Sequence, residues 1–138
     1  MTKAELIEAL NHDIADEFAS AIQYINHASL ITGARYMAVQ AELLVHATEE
    51  MQHATTLADQ IAALGGKPST EVGPVETSDD PEEMLRQDLA GEKSAVARYK
   101  QRIRAAMQLE EYGLARVLQD IIVMEEEHVK DLEMALGL

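Results

Sequence analysis

The sequence has no cysteine and no tryptophan, and aromatic residues make up only 4% of it. Without cysteine the chain cannot form a disulfide framework, a thiolate zinc site, an iron–sulfur cluster or a cysteine nucleophile. β-Branched residues seldom cluster, whereas alanine (21) and glutamate (17) are abundant. This composition argues against a β-sandwich or barrel, so we expect an all-α protein.

Long apolar runs are also missing. The first ten residues lack the uninterrupted apolar segment of a secretory signal, and no uncharged apolar stretch is long enough to span a membrane. We therefore expect a cytoplasmic protein without membrane contact. The net charge of −14 disfavours nucleic-acid binding and suits a protein that attracts cations.

The length of 138 residues predicts a single domain covering residues 1–138. Thr2 and Glu5 have the form of a capping box, Gly33 is expected to end the first helix in the left-handed conformation, and Asp80 is expected to cap the third. Together with helical periodicity, these signals predict helices at about 3–32, 35–64 and 81–109, and a fourth helix that follows a short break near residues 111–113 and ends at Gly137.

Residues 65–80 form the only long loop that the sequence predicts. Fully extended at about 3.3 Å per residue, this loop could reach roughly 50 Å. A helix of 30 residues is about 45 Å long, so the loop can run the length of the molecule. The second and third helices can therefore be parallel, which predicts a four-helix bundle with one long crossover.

Two Glu-x-x-His motifs carry the chemistry. Glu50 precedes His53 by three residues, and Glu125 precedes His128 by the same spacing. Positions three apart share one face of a helix, so each motif directs a carboxylate and an imidazole to one point.

An internal repeat makes these motifs specific. The sequence separation between Glu17 and Glu50 equals that between Glu92 and Glu125. One constant offset between the two halves of the chain relates Glu17 to Glu92, Glu50 to Glu125, His53 to His128, Leu10 to Leu85, Asp13 to Asp88 and Tyr24 to Tyr99. The repeat therefore predicts that four glutamates and two histidines converge at the middle of the bundle.

Four buried carboxylates without partners would repel one another and lose their hydration. Two divalent cations would make the same set favourable, and di-iron carboxylate proteins have this ligand set in the core of a four-helix bundle. Iron or manganese suits the mixed oxygen and nitrogen ligands best, and zinc could bind without redox chemistry. The alternative is a set of solvated surface glutamates with two incidental histidines.

Four segments of the sequence resemble bacterioferritin, a family of the ferritin-like superfamily: QYINHA (23–28), EEMQHA (49–54), EEMLRQDL (82–89) and EEEH (125–128). The resemblance covers nearly the whole chain. It implies that the six positions form a di-iron ferroxidase centre in which Glu50 and Glu125 bridge the two irons. The implied function is iron storage and detoxification, with Fe(II) oxidised by O₂ or H₂O₂ and kept as an Fe(III) mineral inside a hollow homo-oligomer.

The resemblance also implies a haem site at Met51, because bacterioferritins bind haem at a two-fold axis through one such methionine from each subunit. On a helix Met51 is turned by about 100° from Glu50 and about 200° from His53, so it faces away from the metal side. The alternative is a methionine that only packs in a subunit interface. Only ten residues follow His128, so we expect no fifth helix, and we expect dimers to build a 12-subunit shell in preference to a 24-subunit one.

Further residues have candidate roles. Tyr24 and Tyr99 each follow a ligand glutamate by two turns and could hydrogen-bond a ligand or supply an electron, or could be core tyrosines. Asp13 and Asp88 are expected to be half-exposed carboxylates on the helix surface. The alternatives are that they form an approach path for iron or that they support the metal ligands from outside. His46 is expected to be partly buried, or to guide iron.

Four basic side chains, Arg98, Lys100, Arg102 and Arg104, are expected to form an ion-pair surface between subunits. His12 and His27 are given no role.

Two other functions use the same six residues. One is a di-iron peroxidase like rubrerythrin or an enzyme like manganese catalase, neither of which stores mineral. The other is a structural or haem-carrying oligomer with an idle centre.

Overall fold

The computed structural model describes all 138 residues and contains four α-helices. They are α1 (Lys3–Leu30), α2 (Met37–Ala63), α3 (Pro81–Gln108) and α4 (Tyr112–Leu136), with a 3₁₀ turn (Ala34–Tyr36) between α1 and α2. There are no strands, so the expected all-α class is confirmed. No helix combines the length and the apolar character that a membrane crossing would need.

The expected caps are present at the starts of α1 and α3. The Thr2 hydroxyl accepts from the Glu5 amide at 3.1 Å, and the Glu5 carboxylate accepts from the Thr2 amide at 2.8 Å. Asp80 accepts from the Glu83 amide at 3.0 Å. The left-handed stop expected at Gly33 is wrong: its φ of 111° and ψ of 143° lie outside that region, because α1 already ends at Leu30 and Gly33 is the residue that precedes the 3₁₀ turn.

The crossover between α2 and α3 lies along α1. The Asn11 side chain bonds the backbone of residues 67 and 69, the Gly73 amide donates to the Ala15 carbonyl at 2.9 Å, and the Glu76 amide donates to the Gln23 side chain at 2.9 Å. The loop thus advances from the first half of α1 toward its end. Since α1 and α2 are antiparallel, this path makes α2 and α3 parallel, as the sequence predicts.

The interior has two apolar clusters, one toward each end of the bundle. The cluster beside the start of α1 includes Leu6, Leu10, Leu57, Tyr99 and Leu118. The cluster beside the end of α1 includes Tyr24, Ile31, Leu43, Leu85 and Leu132. Burial of these side chains holds the four helices together and leaves a polar layer between the clusters.

Candidate metal centre

Six ionisable side chains form this polar layer, and every helix contributes to it. They are Glu17 of α1, Glu50 and His53 of α2, Glu92 of α3, and Glu125 and His128 of α4. None of the six is more than 8% exposed. The alternative of solvated surface glutamates is therefore wrong, because ionised carboxylates at this depth are costly unless something neutralises them.

The six residues divide into two overlapping groups. One group contains Glu17 and His53, the other contains Glu92 and His128, and both contain Glu50 and Glu125. Within each group the candidate ligand atoms lie within 4.8 Å of one another. This arrangement offers two adjacent cation positions with two carboxylates common to both.

The imidazoles direct their Nδ1 atoms into the layer. His53 Nδ1 lies 2.8 Å from Glu125 Oε1, and His128 Nδ1 lies 3.0 Å from Glu50 Oε1. These contacts are short but are not aligned as hydrogen bonds, so His53 Nδ1 and Glu50 Oε1 are buried without a hydrogen-bond partner. Atoms that are close yet misaligned fit ligands that converge on a common ion.

Other carboxylate oxygens in the layer are also buried without partners: Glu17 Oε2, Glu92 Oε2 and both oxygens of Glu125. Unsatisfied buried oxygens of this kind require an explanation, and a bound cation supplies one. The oxygen and imidazole donors suit iron, manganese or zinc. The residues therefore fit a two-metal site, and metal binding by them stays a prediction.

Electrostatics in the layer favour added positive charge. Burial raises the pKa of Glu50 and that of Glu125 well above their usual range, and repulsion from Glu17 and Glu92 raises both further. Burial alone would lower the pKa of His128, but hydrogen bonding and attraction to Glu92 raise it to about 9. Glu50, Glu125 and His128 therefore bind protons more tightly than isolated side chains would, and a metal ion would compete for the same groups.

Each outer glutamate is held by a tyrosine from the opposite half of the chain. The Tyr24 hydroxyl donates to Glu92 Oε1 at 2.6 Å, and the Tyr99 hydroxyl donates to Glu17 Oε1 at 2.5 Å. The second oxygen of each glutamate keeps no partner and stays free for a metal. Both tyrosines are buried core residues, so these hydrogen bonds fit the expected contact with a ligand glutamate and equally the alternative of core tyrosines.

Asp13 lies in a buried ion pair, so the expectation that it is half-exposed is wrong. Arg102 donates to both of its oxygens at 2.8 and 3.0 Å, and Arg98 donates at 3.1 Å. Arg98 and Arg102 therefore already have acidic partners within the chain, and the intersubunit role expected for the basic surface stays a prediction. Lys100 and Arg104 are exposed.

Asp88 is likewise buried, against the expectation, and its partners come from α1. His27 Nδ1 lies 2.9 Å from Asp88 Oδ1, and the Gln23 amide donates to the same oxygen at 2.9 Å. His27 was given no role from the sequence. The repeat contained the signal, because the offset that relates Asp13 to Asp88 also relates His27 to Arg102.

The far side of His128 has two further partners. Its Nε2 lies 3.4 Å from Glu49 Oε2, and the ring of His46 stacks on it with centroids 4.0 Å apart. A carboxylate behind a ligand imidazole commonly fixes the ring and makes it a stronger ligand. No sequence pattern marks Glu49 for this position, and His46 is fully buried, against the expectation of partial burial.

Met51 lies on the outside of α2, away from the polar layer, and is 47% exposed. Leu44, two turns earlier, and Thr55, one turn later, are exposed as well. Ala47, one turn before Met51 on the helix, is instead buried in the core. The orientation away from the metal side agrees with the expectation, and haem binding stays a prediction.

A polar cavity of about 480 Å³ lies between α1, α3 and the crossover. Its lining includes Tyr24, Asp88 and Glu92, together with His12 and Asp16 nearer the surface. It therefore connects the outside of the bundle with one outer glutamate and its tyrosine.

Comparison with known proteins places the chain among ferritin-like proteins. The ferritin-like domain family matches residues 7–138. A bacterioferritin of Brucella melitensis is 30% identical over 135 residues, which are 97% of this chain and 84% of that protein. A bacterioferritin of Desulfovibrio desulfuricans is 30% identical over 128 residues, which are 92% of this chain and 72% of that protein.

Two solved structures share the fold. A ferritin-like, diiron-carboxylate protein from Bacillus anthracis superposes with a TM-score of 0.94 at 32% identity, covering 99% of both chains. A bacterioferritin from Rhodobacter capsulatus, with a metal-free dinuclear site and haem iron in a crystallographic special position, superposes with a TM-score of 0.89 at 27% identity, covering 97% of this chain and 84% of that one.

Proposed function

The chain belongs to the ferritin-like domain family, and from this premise we propose that it is a ferroxidase that oxidises Fe(II) to Fe(III). The two iron ions bind as substrates at the two overlapping ligand groups. The observation that carries the proposal is that Glu50 and Glu125 belong to both groups and keep buried oxygens that have no hydrogen-bond partner. Bacterioferritins and a diiron-carboxylate protein are among the relatives, which supports iron as the metal.

The reaction moves one electron from each of two Fe(II) ions to an oxidant. Two electrons and two protons reduce O₂ to H₂O₂, or H₂O₂ to two molecules of water. The carboxylates offset the charge that the irons gain, while His53 and His128 complete the ligand sets as neutral donors. Tyr24 holds Glu92 in place beside the polar cavity, through which iron and oxidant reach the centre.

Replacing the two histidines tests the centre. We expect His53→Ala/His128→Ala to oxidise Fe(II) more than about a hundredfold more slowly than the unaltered protein, because each metal position loses its only nitrogen ligand. The matched control is Gln52→Ala/Glu127→Ala, which changes the exposed residue next to each histidine and leaves the six ligands and the cavity intact. The measurement is the absorbance of Fe(III) after anaerobic Fe(II) loading and addition of O₂ or H₂O₂. Rapid oxidation of Fe(II) by the double variant would refute the assignment of these six residues as the ferroxidase centre.

Storage in a hollow homo-oligomer is the second part of the proposal. Ile22 and Ile25 of α1 and Leu44 and Met51 of α2 are each 45–50% exposed, and apolar side chains on two adjacent helices suit the face of a second copy. Light scattering should give a particle of 12 or 24 subunits that keeps Fe(III) in solution. A small particle that turns over peroxide and keeps no mineral would instead favour the rubrerythrin-like or manganese catalase-like alternative.

Haem binding at this face is the third part. The haem iron of the Rhodobacter capsulatus protein and the outward position of Met51 support it. Reconstitution with haem should give a Soret band that Met51→Leu shifts or abolishes, whereas Met37→Leu, at a methionine that is 75% exposed, should keep it. An unchanged spectrum of Met51→Leu would exclude Met51 as the ligand.

A further inference from the structure

A second group of potential ligands lies on the seam between α2 and α4, beside the six-residue centre. His46 Nε2 is 3.2 Å from Asp131 Oδ2 and 3.5 Å from Glu42 Oε1. Candidate ligand atoms of these three residues lie within 4.8 Å of one another. The imidazole is 1% exposed, whereas the carboxylate side chains are 46% and 50% exposed. A buried nitrogen therefore faces two carboxylates that solvent can reach.

The protein itself does not balance this group. Neither Glu42 nor Asp131 pairs with a lysine or an arginine, and the His46 imidazole is the only basic group in contact with them. Nε2 of a neutral imidazole can donate one hydrogen bond, so it satisfies one carboxylate and leaves the other at 3.5 Å. His46 Nδ1 is also buried without a partner. A cation among the three side chains would offset the surplus negative charge.

The internal repeat shows that packing does not require polar groups here. The constant offset between the halves relates His46 to Ile121, Glu42 to Val117, and Asp131 to Thr56. None of these counterparts is ionisable, although the helices that bear them are equally part of the bundle. The ligand group is therefore an addition to one half of the molecule and not a consequence of the fold.

We propose that Glu42, His46 and Asp131 form a third divalent-cation site. One imidazole and two carboxylates suit Fe²⁺, Zn²⁺, Mn²⁺ or Co²⁺, and three protein ligands leave positions for exchangeable water. The site adjoins the centre, because the His46 ring stacks on His128 at 4.0 Å. Only the His46 side chain separates an ion at this site from His128 of the centre. We expect such an ion to bind from solvent and then to move on to the centre. This transit role rests on the proposed ferroxidase function, whereas the binding site itself does not.

Zinc titration of the complete, metal-free protein tests the site without any redox reaction. We expect three Zn²⁺ per chain for the unaltered protein and two for Glu42→Gln/Asp131→Asn. Both substitutions are at half-exposed side chains, so the fold should survive them, which circular dichroism checks. The matched control is Asp59→Asn/Glu127→Gln, which removes one exposed carboxylate from each of the same helices and should still bind three. Two ions in the unaltered protein, or three in the Glu42→Gln/Asp131→Asn variant, would overturn the site.

Iron oxidation tests the transit role separately. After anaerobic loading with two Fe(II) per chain, Glu42→Gln/Asp131→Asn should oxidise these ions at the rate of the unaltered protein, because the ions already occupy the six intact ligands of the centre. Later turnovers should slow by at least about threefold, because replacement iron has lost its holding site. An unchanged rate in later turnovers would overturn the transit role. If the unaltered protein binds the third Zn²⁺ but oxidises no Fe(II), the ferroxidase proposal fails and the third site stands.

Discussion

The two halves of the centre are built on one plan and supported in different ways. In the Glu17–His53 half and in the Glu92–His128 half, a tyrosine from the opposite half of the chain holds the outer glutamate, and Glu50 is shared. Outside this common set the halves diverge. The repeat thus retains the residues that two equivalent metal positions need, while the surroundings of each position differ.

The differences lie both beyond the outer glutamates and behind the histidines. Asp13 is held by the permanently charged guanidinium of Arg102, whereas its counterpart Asp88 is held by His27. Glu49 lies behind His128, whereas the repeat places Met124 at the matching position behind His53. The Glu17–His53 half is therefore the better anchored, and the Glu92–His128 half has more polar contacts through which protons and ions can exchange.

The largest expected effect on stability comes from removing the side chains that hold Asp13 and Asp88. Arg102→Ala leaves a buried carboxylate with only the more exposed Arg98, and it should lower the free energy of unfolding by about 3–5 kcal/mol. His27→Ala leaves Asp88 bonded to Gln23 and should cost about 1–3 kcal/mol. Urea unfolding of the metal-free variants measures both. Arg104→Ala, at an exposed arginine of the same helix, should be neutral, and equal losses from the first two variants would contradict the difference between the halves.

The pH dependence of the metal-free protein is the next effect in size. The pKa values of Glu50, Glu125 and His128 are all raised in the folded state, so above about pH 4.5 the folded chain holds protons that the unfolded chain releases. Stability should therefore fall as the pH rises from 4.5 to about 9, by roughly 5 °C or more in melting temperature. Saturation with Zn²⁺ should remove this fall, because the metal takes the place of the protons.

His128 belongs to one half only, so it separates the contributions of the halves. Its stabilising effect is present below pH 6.5 and is lost as the pH rises through about 9. His128→Gln should reduce the fall in melting temperature between pH 6.5 and about 9. The fall at lower pH comes from the shared glutamates and should remain. His12→Gln, at an exposed histidine, should keep the whole curve. A melting temperature that rises with pH in the metal-free protein would refute the assignment of these groups.

Much of this plan can be predicted from the sequence. Helix periodicity predicts the helix limits to within about two residues, and the internal repeat predicts which six side chains converge. These features are local or repeated, so they can be found without knowing how the helices are rotated. Pairings such as Glu49 with His128 or Asp131 with His46 depend on the height and rotation of α2 against α4. No local pattern contains that information.

The burial of Asp13 shows the same limit. An aspartate one turn before a ligand looks like a surface residue until α3 brings Arg102 against it. Gly33 shows a smaller limit of the same kind. A glycine that follows a helix can cap the start of the next turn and need not end the helix in the left-handed conformation. In each case a partner distant in sequence or the next element of the chain decides the outcome.

A smaller effect is expected from the carboxylate behind His128. Glu49→Gln should weaken Zn²⁺ binding at the His128 position by about tenfold, because the imidazole loses a charged partner, and it should leave the His53 position unchanged. Glu127→Gln, an exposed glutamate beside His128 in sequence, is the control. Isothermal titration calorimetry resolves the two affinities. Equal weakening at both positions would show that Glu49 acts only through overall charge.

The smallest effects should come from the two tyrosines, which make the same contact in different surroundings. Tyr24→Phe and Tyr99→Phe each remove one hydrogen bond to an outer glutamate, so each should lower the free energy of unfolding by about 1 kcal/mol. Their effects on Fe(II) oxidation should differ. Tyr24 lines the polar cavity and packs edge-on against His128, whereas Tyr99 is enclosed in an apolar cluster.

Loss of the Tyr24 hydroxyl frees Glu92 at the point where the cavity admits iron and oxidant, so oxidation should slow by roughly threefold. Glu17 is enclosed by packed helices and should keep its position without the Tyr99 hydroxyl, so the rate should stay within about twofold. Stopped-flow absorbance on both variants, with Tyr112→Phe at an exposed tyrosine as the control, measures the difference. Equal slowing by both substitutions would mean that the hydrogen bond to the glutamate matters and the cavity does not, and the functional difference between the halves would then lie behind His128 alone.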